Sequence, residues 1–354
     1  MTKFCFCICL IIFFFVSIQT SSSSPSSSSS PYLSPTTFTK NYNKMLVNLK
    51  LFIYQPVQHI AFSSPSASLF YKSLINSAFV TREPEEAHLF FVPVSPGTSK
   101  RALARLVREL RTRYTFWNRT LGADHFFISP EGIEFSSDRN ALELKKNSVQ
   151  ISVFPTVSGN FIPHKDISLP PARTPELKLI SDEPVNGTVL GFLNWDGRTE
   201  AELVNELKLD DDFLVESEPS NHVERAKNSK FCLFFYSDGS LAATNSMNIA
   251  TAMSSGCVPV VIVDRPVQDF PLMDVLRWSE MVLLIGNRRG ADGVKAVLGG
   301  VTVEKYEKMR ELCVAAGQHM VWNDEPQPYD AFHMVIYQLW MRRHTIRYTR
   351  REEF

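Results

Sequence analysis

Several signatures that would assign a chemistry at once are missing from this 354-residue sequence. There is no His-x-x-x-His and no Cys-x-x-Cys, which removes the usual ligand spacings of a zinc site. No glycine-rich nucleotide fingerprint occurs, so neither dinucleotide binding nor P-loop hydrolysis is a first reading. The Gly-x-Ser-x-Gly elbow of nucleophilic hydrolases is absent as well. Charge of one sign is not in excess: 37 basic residues balance 37 acidic ones. That balance argues against a nucleic-acid partner and against a generally polybasic membrane surface. Cysteine is sparse. Of the six, Cys5, Cys7 and Cys9 lie in an apolar leader, which leaves Cys232, Cys257 and Cys313 for the body. One disulfide among these three is possible, with one thiol left over, so a hydrophobic core and not a cysteine framework must hold the body together.

What is present begins with Lys3 and the apolar run Phe4 to Ile18, in which Ser17 is the only polar residue. The run matches a signal-peptide core and is short for a stable membrane span, although a signal anchor in a thin membrane also fits. We therefore expect a signal anchor or signal peptide over 1–19. A Ser/Pro-rich stem is expected over 20–45, because such a tract buries too little apolar surface to fold. Asn118-Arg-Thr120 and Asn186-Gly-Thr188 are acceptor sequons, which suits a body exposed to the secretory pathway.

The body alternates strand-like and helix-like segments. Lys50 to Tyr54 reads as a strand, Ser66 to Ala78 as a helix, and Leu89 to Pro93 as a strand apolar on both faces, as buried parallel strands are. Leu103 to Leu110 has one apolar helical face, and Arg101, Arg105, Arg108 and Arg111 are expected to face water. Asp124 to Ser129 and Val149 to Val153 follow as strands, and Phe161 to Pro171 as a proline-bounded extended segment at the surface or a domain interface. After a polar connection over 172–186 the alternation restarts, with strands at Thr188 to Leu193, Phe213 to Val215, Lys230 to Tyr236, Cys257 to Asp264 and Val282 to Ile285. Helices are expected at Glu200 to Leu209, Asn221 to Asn228, Met247 to Ser255, Val301 to Met320 and Tyr329 to Arg343. This pattern defines an α/β fold with an N-terminal domain over 46–180, a C-terminal domain over 181–325, and a closing helix and tail over 326–354. A ligand cleft between the two domains is its ordinary consequence.

The candidate site is the stretch from Lys227 to Pro266. Ser237, Asp238, Gly239, Ser240, Thr244 and Asn245 occupy the loop between a strand and a helix, where backbone N–H groups and hydroxyls can hold a diphosphate or simply cap and turn the chain. Gly256 is expected to be a helix C-cap at positive φ. Asp264 and Asp269 flank the next loop, as acids for ribose or acceptor hydroxyls or as solvated loop residues. His125, His164 and His222 are isolated and read as structural or exposed.

Taken together, Leu51-Phe-Ile-Tyr54, Phe79 to Pro93, Trp117-Asn-Arg-Thr120, Asp124-His-Phe-Phe127, Phe161 to Pro170 with Lys165-Asp166, Lys230-Phe-Cys-Leu233, Gly256-Cys-Val-Pro-Val260 and Asp330-Ala-Phe332 resemble the plant exostosin-like glycosyltransferases, glycosyltransferase family 47. The resemblance implies two Rossmann-like domains facing a cleft, the GT-B type, on a single-pass type II Golgi membrane protein with a luminal body, secreted if its leader is cleaved. It implies inverting transfer of a sugar from a nucleotide-sugar donor to a cell-wall polysaccharide or other glycan, with the donor on the C-terminal half and no certain cofactor or metal. The donor contacts expected are Ser237, Asp238, Gly239, Ser240, Asn245, Asn248 and Thr251, with Arg198 or Arg265 supplying positive charge. Asp264 and Asp269 are the catalytic candidates. The sequence departs from the family's Ser-Pro-Arg and Glu-Ala pattern, carrying Ser246-Met247-Asn248 and Thr251-Ala252 instead. Asn and Thr replace a permanent guanidinium and a carboxylate, which removes charge worth several kcal/mol from the site. The alternative expectation is thus a catalytically altered member that binds glycan or supports a partner transferase.

Overall fold

The computed structural model describes residues 30–54, 60–172, 189–195, 201–217, 222–236 and 248–351. Five parallel strands form the first sheet, in the order β1 (Leu51–Ile53), β2 (Leu89–Phe91), β3 (His125–Ile128), β4 (Val149–Val153) and β5 (Ile167–Leu169). Val80 bridges Leu51 on the outer side of β1, with Leu51 N–H donating to Phe79 O and Thr81 N–H to Leu51 O. Counting that edge, the order is 2-1-3-4-5-6: the chain runs outward once and then back across the sheet, as in the 2-1-3-4-5 winding of doubly wound α/β proteins. The second sheet repeats it: β6 (Val189–Asn194), β7 (Phe213–Glu216), β8 (Ser229–Tyr236), β9 (Val258–Val263) and β10 (Leu283–Gly286) lie in the order β10-β9-β8-β6-β7, all parallel.

The strands are buried on both faces because alternate side chains feed two cores. Leu89 and Phe91 of β2 join one core with Phe126 and Ile128 of β3, while Phe90 and Phe127 join another. The second of these is covered by α3 (Lys100–Arg113), α4 (Phe116–Thr120) and α5 (Arg139–Asn147). Leu103, Val107 and Leu110 point inward from α3, and Arg101, Arg105 and Arg108 face water. Arg111 departs from the expected solvated face, because it turns to Glu143 of α5 in a half-buried ion pair.

The opposite core draws on both halves of the chain. It gathers α1 (Pro35–Asn48), α2 (Pro65–Ile75) and α11 (Ala331–Arg351) against the first sheet, together with Tyr236, Ile249, Val261, Phe270 and Trp278 from the second half. The closing helix α11 therefore crosses back onto the N-terminal sheet. Asp330 caps it, accepting from the His333 N–H at 3.0 Å. Arg342 on α11 donates to the carbonyls of Lys165 and Asp166 and to Asp274 Oδ2 at 2.9 Å, tying the two halves together.

Two expectations are corrected here. The stem drawn over 20–45 does not stay unfolded to its end: Phe38, Tyr42 and Met45 recur at helical spacing and are buried along α1. Ahead of α1, Tyr32 hydrogen-bonds His319 at 2.8 Å, and Leu33 N–H donates to Val275 O. The segment Phe161 to Pro171, expected to cross the surface or the domain interface, instead contributes Ile167–Leu169 as the last strand of the first sheet, while its end at Pro171 does reach the cavity between the sheets.

On the second sheet, α6 (Ala201–Leu207) and α9 (Gly290–Gly299) cover one face, and α7 (His222–Lys227) and α8 (Ile249–Ser254) the other. α10 (Val303–Gly317) packs behind α8, where Gly317 lies against Ser254 so closely that a Cβ would come within 3.1 Å of its hydroxyl. Gly256 ends α8 at φ 75°, the left-handed cap expected of it. Cys232 on β8 and Cys257 just before β9 form a disulfide, which leaves Cys313, buried, as the free thiol among the described residues.

Candidate functional site

Parallel α/β sheets place their loops, and hence their ligands, beyond the carboxyl ends of the strands. Here the carboxyl ends of the two sheets face one another across a cavity of about 400 Å³. The first sheet contributes Pro130 and Glu131 after β3, Phe154 and Pro155 after β4, and Pro171 and Ala172 after β5. The second contributes Phe234 and Tyr236 of β8, Val261 of β9, and Asn248 and Ile249 at the start of α8.

Asp269 lies behind the cavity wall, bonded to Tyr236 of its lining. Its Oδ2 accepts the Thr156 N–H at 2.6 Å and the Thr156 hydroxyl at 2.7 Å, and its Oδ1 accepts the Tyr236 hydroxyl at 2.5 Å. The carboxylate is only 2% exposed. It thus joins the loop after β9 to the loop after β4, and three donors already occupy its oxygens. Burial, followed by the Asp269 charge, pushes the Tyr236 phenol well up. Asp264 sits exposed on the bend after β9, and neither aspartate lines the cavity.

Asn248 and Thr251 have different environments. Asn248 lines the cavity and caps α8, its Oδ1 accepting the Thr251 N–H at 3.0 Å. Its Nδ2 reaches across to the Ala172 carbonyl at 2.9 Å, so the side chain spans the cleft. Thr251, one turn along, is fully buried beneath the cavity wall, and its hydroxyl finds no partner there. Arg265 lies over the Tyr236 ring at 5.0 Å, a cation–π contact at the cavity's edge. Arg198 and the expected donor contacts Ser237, Asp238, Gly239, Ser240 and Asn245 lie outside the described residues, as does Asn186. Asn118 is exposed on α4, as a glycosylation site requires, and Thr120 of its sequon is bonded to Asp124.

The isolated histidines are brought to no common site. His125 is fully buried between Tyr54 and Asp124, each at 2.8 Å, an arrangement in which burial lowers its pKa despite the carboxylate. His164 is exposed at φ 66°, and His222 is buried on α7. Among the described residues no group of three His, Cys, Asp or Glu side chains is placed to hold a metal ion, and no helix is long and apolar enough to cross a membrane.

One residue of the cavity that sequence reasoning passed over is Glu131. Its only local signal is a Ser-Pro-Glu-Gly turn after a buried strand, which says nothing of what the turn faces.

Two doubly wound parallel sheets facing across a cavity at their carboxyl ends form a GT-B-like α/β arrangement. The sequence profile of the exostosin GT47 domain matches residues 45–299. The chain belongs to the exostosin GT47 family. It is 27% identical over 351 residues to a probable glycosyltransferase of Arabidopsis thaliana, covering 88% of this chain and 72% of the relative. A probable glucuronosyltransferase of Oryza sativa subsp. japonica is 25% identical over 305 residues, 75% of this chain and 69% of that one. A probable beta-1,4-xylosyltransferase of Arabidopsis thaliana is 24% identical over 302 residues, 74% of this chain and 71% of its own. Family and fold together support a glycosyltransferase-type enzymatic activity.

Proposed function

We propose that the protein is an inverting glycosyltransferase that moves a sugar from a nucleotide-sugar donor to a cell-wall polysaccharide or other glycan. The observation that carries this reading is the cavity between the carboxyl ends of the two sheets, where a donor on the second sheet meets an acceptor on the first. Asn248 meets the donor from the start of α8, with Arg265, Arg198 and the loop residues Ser237, Asp238, Gly239, Ser240 and Asn245 around its diphosphate. Thr251 supports that wall from behind. Asp264, exposed on the bend after β9 and outside the cavity lining, is given no part in the transfer, and Asp269 positions Thr156 and Tyr236, holding the two halves at working distance. The nucleotide sugar is a substrate, and no cofactor enters the scheme. The working location is the Golgi lumen, on a single-pass type II membrane anchor, or outside the cell if the leader is cleaved.

A second reading is an altered member that binds glycan or supports a partner transferase. It is favoured by one observation: among the described residues no Lys or Arg lines the cavity. Thermal shift separates the two. The names of the relatives suggest UDP-xylose and UDP-glucuronic acid as first donors, alongside UDP. Stabilisation by UDP or by either sugar nucleotide is the expected result, and the absence of a shift with all of them overturns the donor site.

A further inference from the structure

Attack of a sugar hydroxyl on an anomeric carbon needs a group to take the hydroxyl proton. Among the described residues lining the inter-sheet cavity, Glu131 carries the only carboxylate. It also lines a second cavity, of about 460 Å³, that runs within the N-terminal half to the first turn of α3 and shares Ser63, Pro130 and Val157 with the first. Glu131 therefore stands where the two cavities meet. Ser95, Thr98, Ser99 and Asn160 place polar groups in the wall of the second cavity, between apolar residues such as Val94, Leu103 and Ile133. Its other acid, Glu134, is paired with Lys100 at 2.6 Å, which holds that carboxyl below the ordinary range and makes it the poorer proton acceptor.

The turn that presents Glu131 is fixed from beneath. Gly132 N–H donates to Ser129 O at 2.9 Å, with Pro130 and Glu131 as the central residues, and Gly132 adopts φ 74°. A Cβ on Gly132 would meet Asn160 O and Gln150 Nε2 at 2.7 Å. Those atoms belong to a buried platform. Gln150 accepts the Ile133 N–H at 2.9 Å and donates to Asn160 O at 2.7 Å, and Asn160 Nδ2 donates to the Glu131 carbonyl at 3.3 Å. Lys145, fully buried, adds a charged donor to the same Asn160 carbonyl. The backbone is braced, while the exposed Glu131 side chain takes part in no ion pair among the described residues. Rigid support beneath an unpaired group is what a positioned acid or base requires.

We propose that Glu131 is the general base of the transfer and that the second cavity holds the acceptor glycan, an inference that rests on the donor reading above. The Glu131 carboxylate takes the proton of the attacking hydroxyl as that oxygen bonds the anomeric carbon. The bond from that carbon to the diphosphate oxygen breaks, and its electron pair leaves with the nucleoside diphosphate.

The test uses the full chain and its Glu131→Gln and Glu131→Asp variants. UDP release from UDP-xylose and UDP-glucuronic acid is followed with xylo-oligosaccharides and with water as acceptor, and UDP binding by thermal shift. Glu131→Gln is expected to keep its melting temperature and its UDP-induced shift and to lose about 10²- to 10⁴-fold in kcat, with Glu131→Asp between. A Glu131→Gln variant that keeps more than about a tenth of the wild-type kcat, or loses its UDP shift as well, overturns the assignment. Wild-type protein that is shifted by UDP yet transfers from neither donor also overturns it, while leaving the donor site standing. Wild-type protein with neither shift nor turnover overturns the donor reading itself.

Discussion

Replacing Asp269 is the perturbation whose outcome the structure defines most closely. In Asp269→Ala, the Thr156 N–H, the Thr156 hydroxyl and the Tyr236 hydroxyl all lose their acceptor, at positions where Thr156 is 6% and Tyr236 4% exposed. Each buried group left unsatisfied costs about 1–3 kcal/mol, and the sum, after relaxation and water entry, is on the order of 3–5 kcal/mol. Asp269→Asn keeps the shape. Its amide oxygen still accepts both Thr156 donors, but its amide nitrogen cannot accept the Tyr236 O–H, so that bond and the charge assistance are lost, about 2–3 kcal/mol. Urea unfolding of the three proteins, with slopes compared as well as midpoints, reads this ordering. Because these bonds join the loops after β4 and β9, UDP binding should weaken in the same order. An Asp269→Asn protein within about 0.5 kcal/mol of wild type that has nonetheless lost all transfer would refute the positioning role and return Asp269 to the chemistry.

Other predictions bear on the frame around the cleft. Burial pushes His319 down to about 4, its Nδ1 hydrogen-bonded to the Tyr329 carbonyl and its Nε2 to the Tyr32 hydroxyl. Between pH about 6.5 and 4 the unfolded chain binds a proton there that the folded one does not, so stability falls as pH falls, by on the order of 3 kcal/mol in all. The check is the stability difference between wild type and His319→Gln at pH 7 and pH 4, which should change by that amount. A constant difference would contradict the assignment. The Cys232–Cys257 bridge spans 25 residues. A loop of that length contributes about 3–4 kcal/mol through the unfolded chain, so the double Cys→Ala variant should unfold at correspondingly lower urea. The buried Cys313 should resist alkylation in the folded protein with or without the bridge, since burial raises its thiol pKa.

Much of the frame was legible in the sequence, for identifiable reasons. β2 and β3 are apolar on both faces because they are sandwiched between two cores, and runs of that kind announce buried parallel strands. Gly256 was readable because a helix ending directly before a strand calls for a left-handed residue. α1 was hidden by its Ser, Pro and Thr neighbours, although Phe38, Tyr42 and Met45 carried the helical period. α5 was missed too, although Asp138 caps it by accepting the Asn140 N–H at 2.8 Å. Asp269 was picked out for its charge, whereas its bonds to Thr156 and Tyr236 depend on residues 113 and 33 positions away. Glu131 could not be read at all: its meaning arises where two halves of the chain meet, and local pattern carries no trace of that.

The proposed transfer requires a nucleotide sugar to bind in the cavity between the two sheets. Calorimetric titration of wild type and Asn248→Trp with UDP reads this, because the bulky side chain would fill the cavity, while loss of the cap and of the bond to the Ala172 carbonyl costs on the order of 2 kcal/mol of stability. Wild type should bind saturably, with thermal stabilisation of about 2.7 kcal/mol at a hundredfold excess over Kd, and the folded variant should lose both. Equal UDP affinity in the two proteins would contradict it.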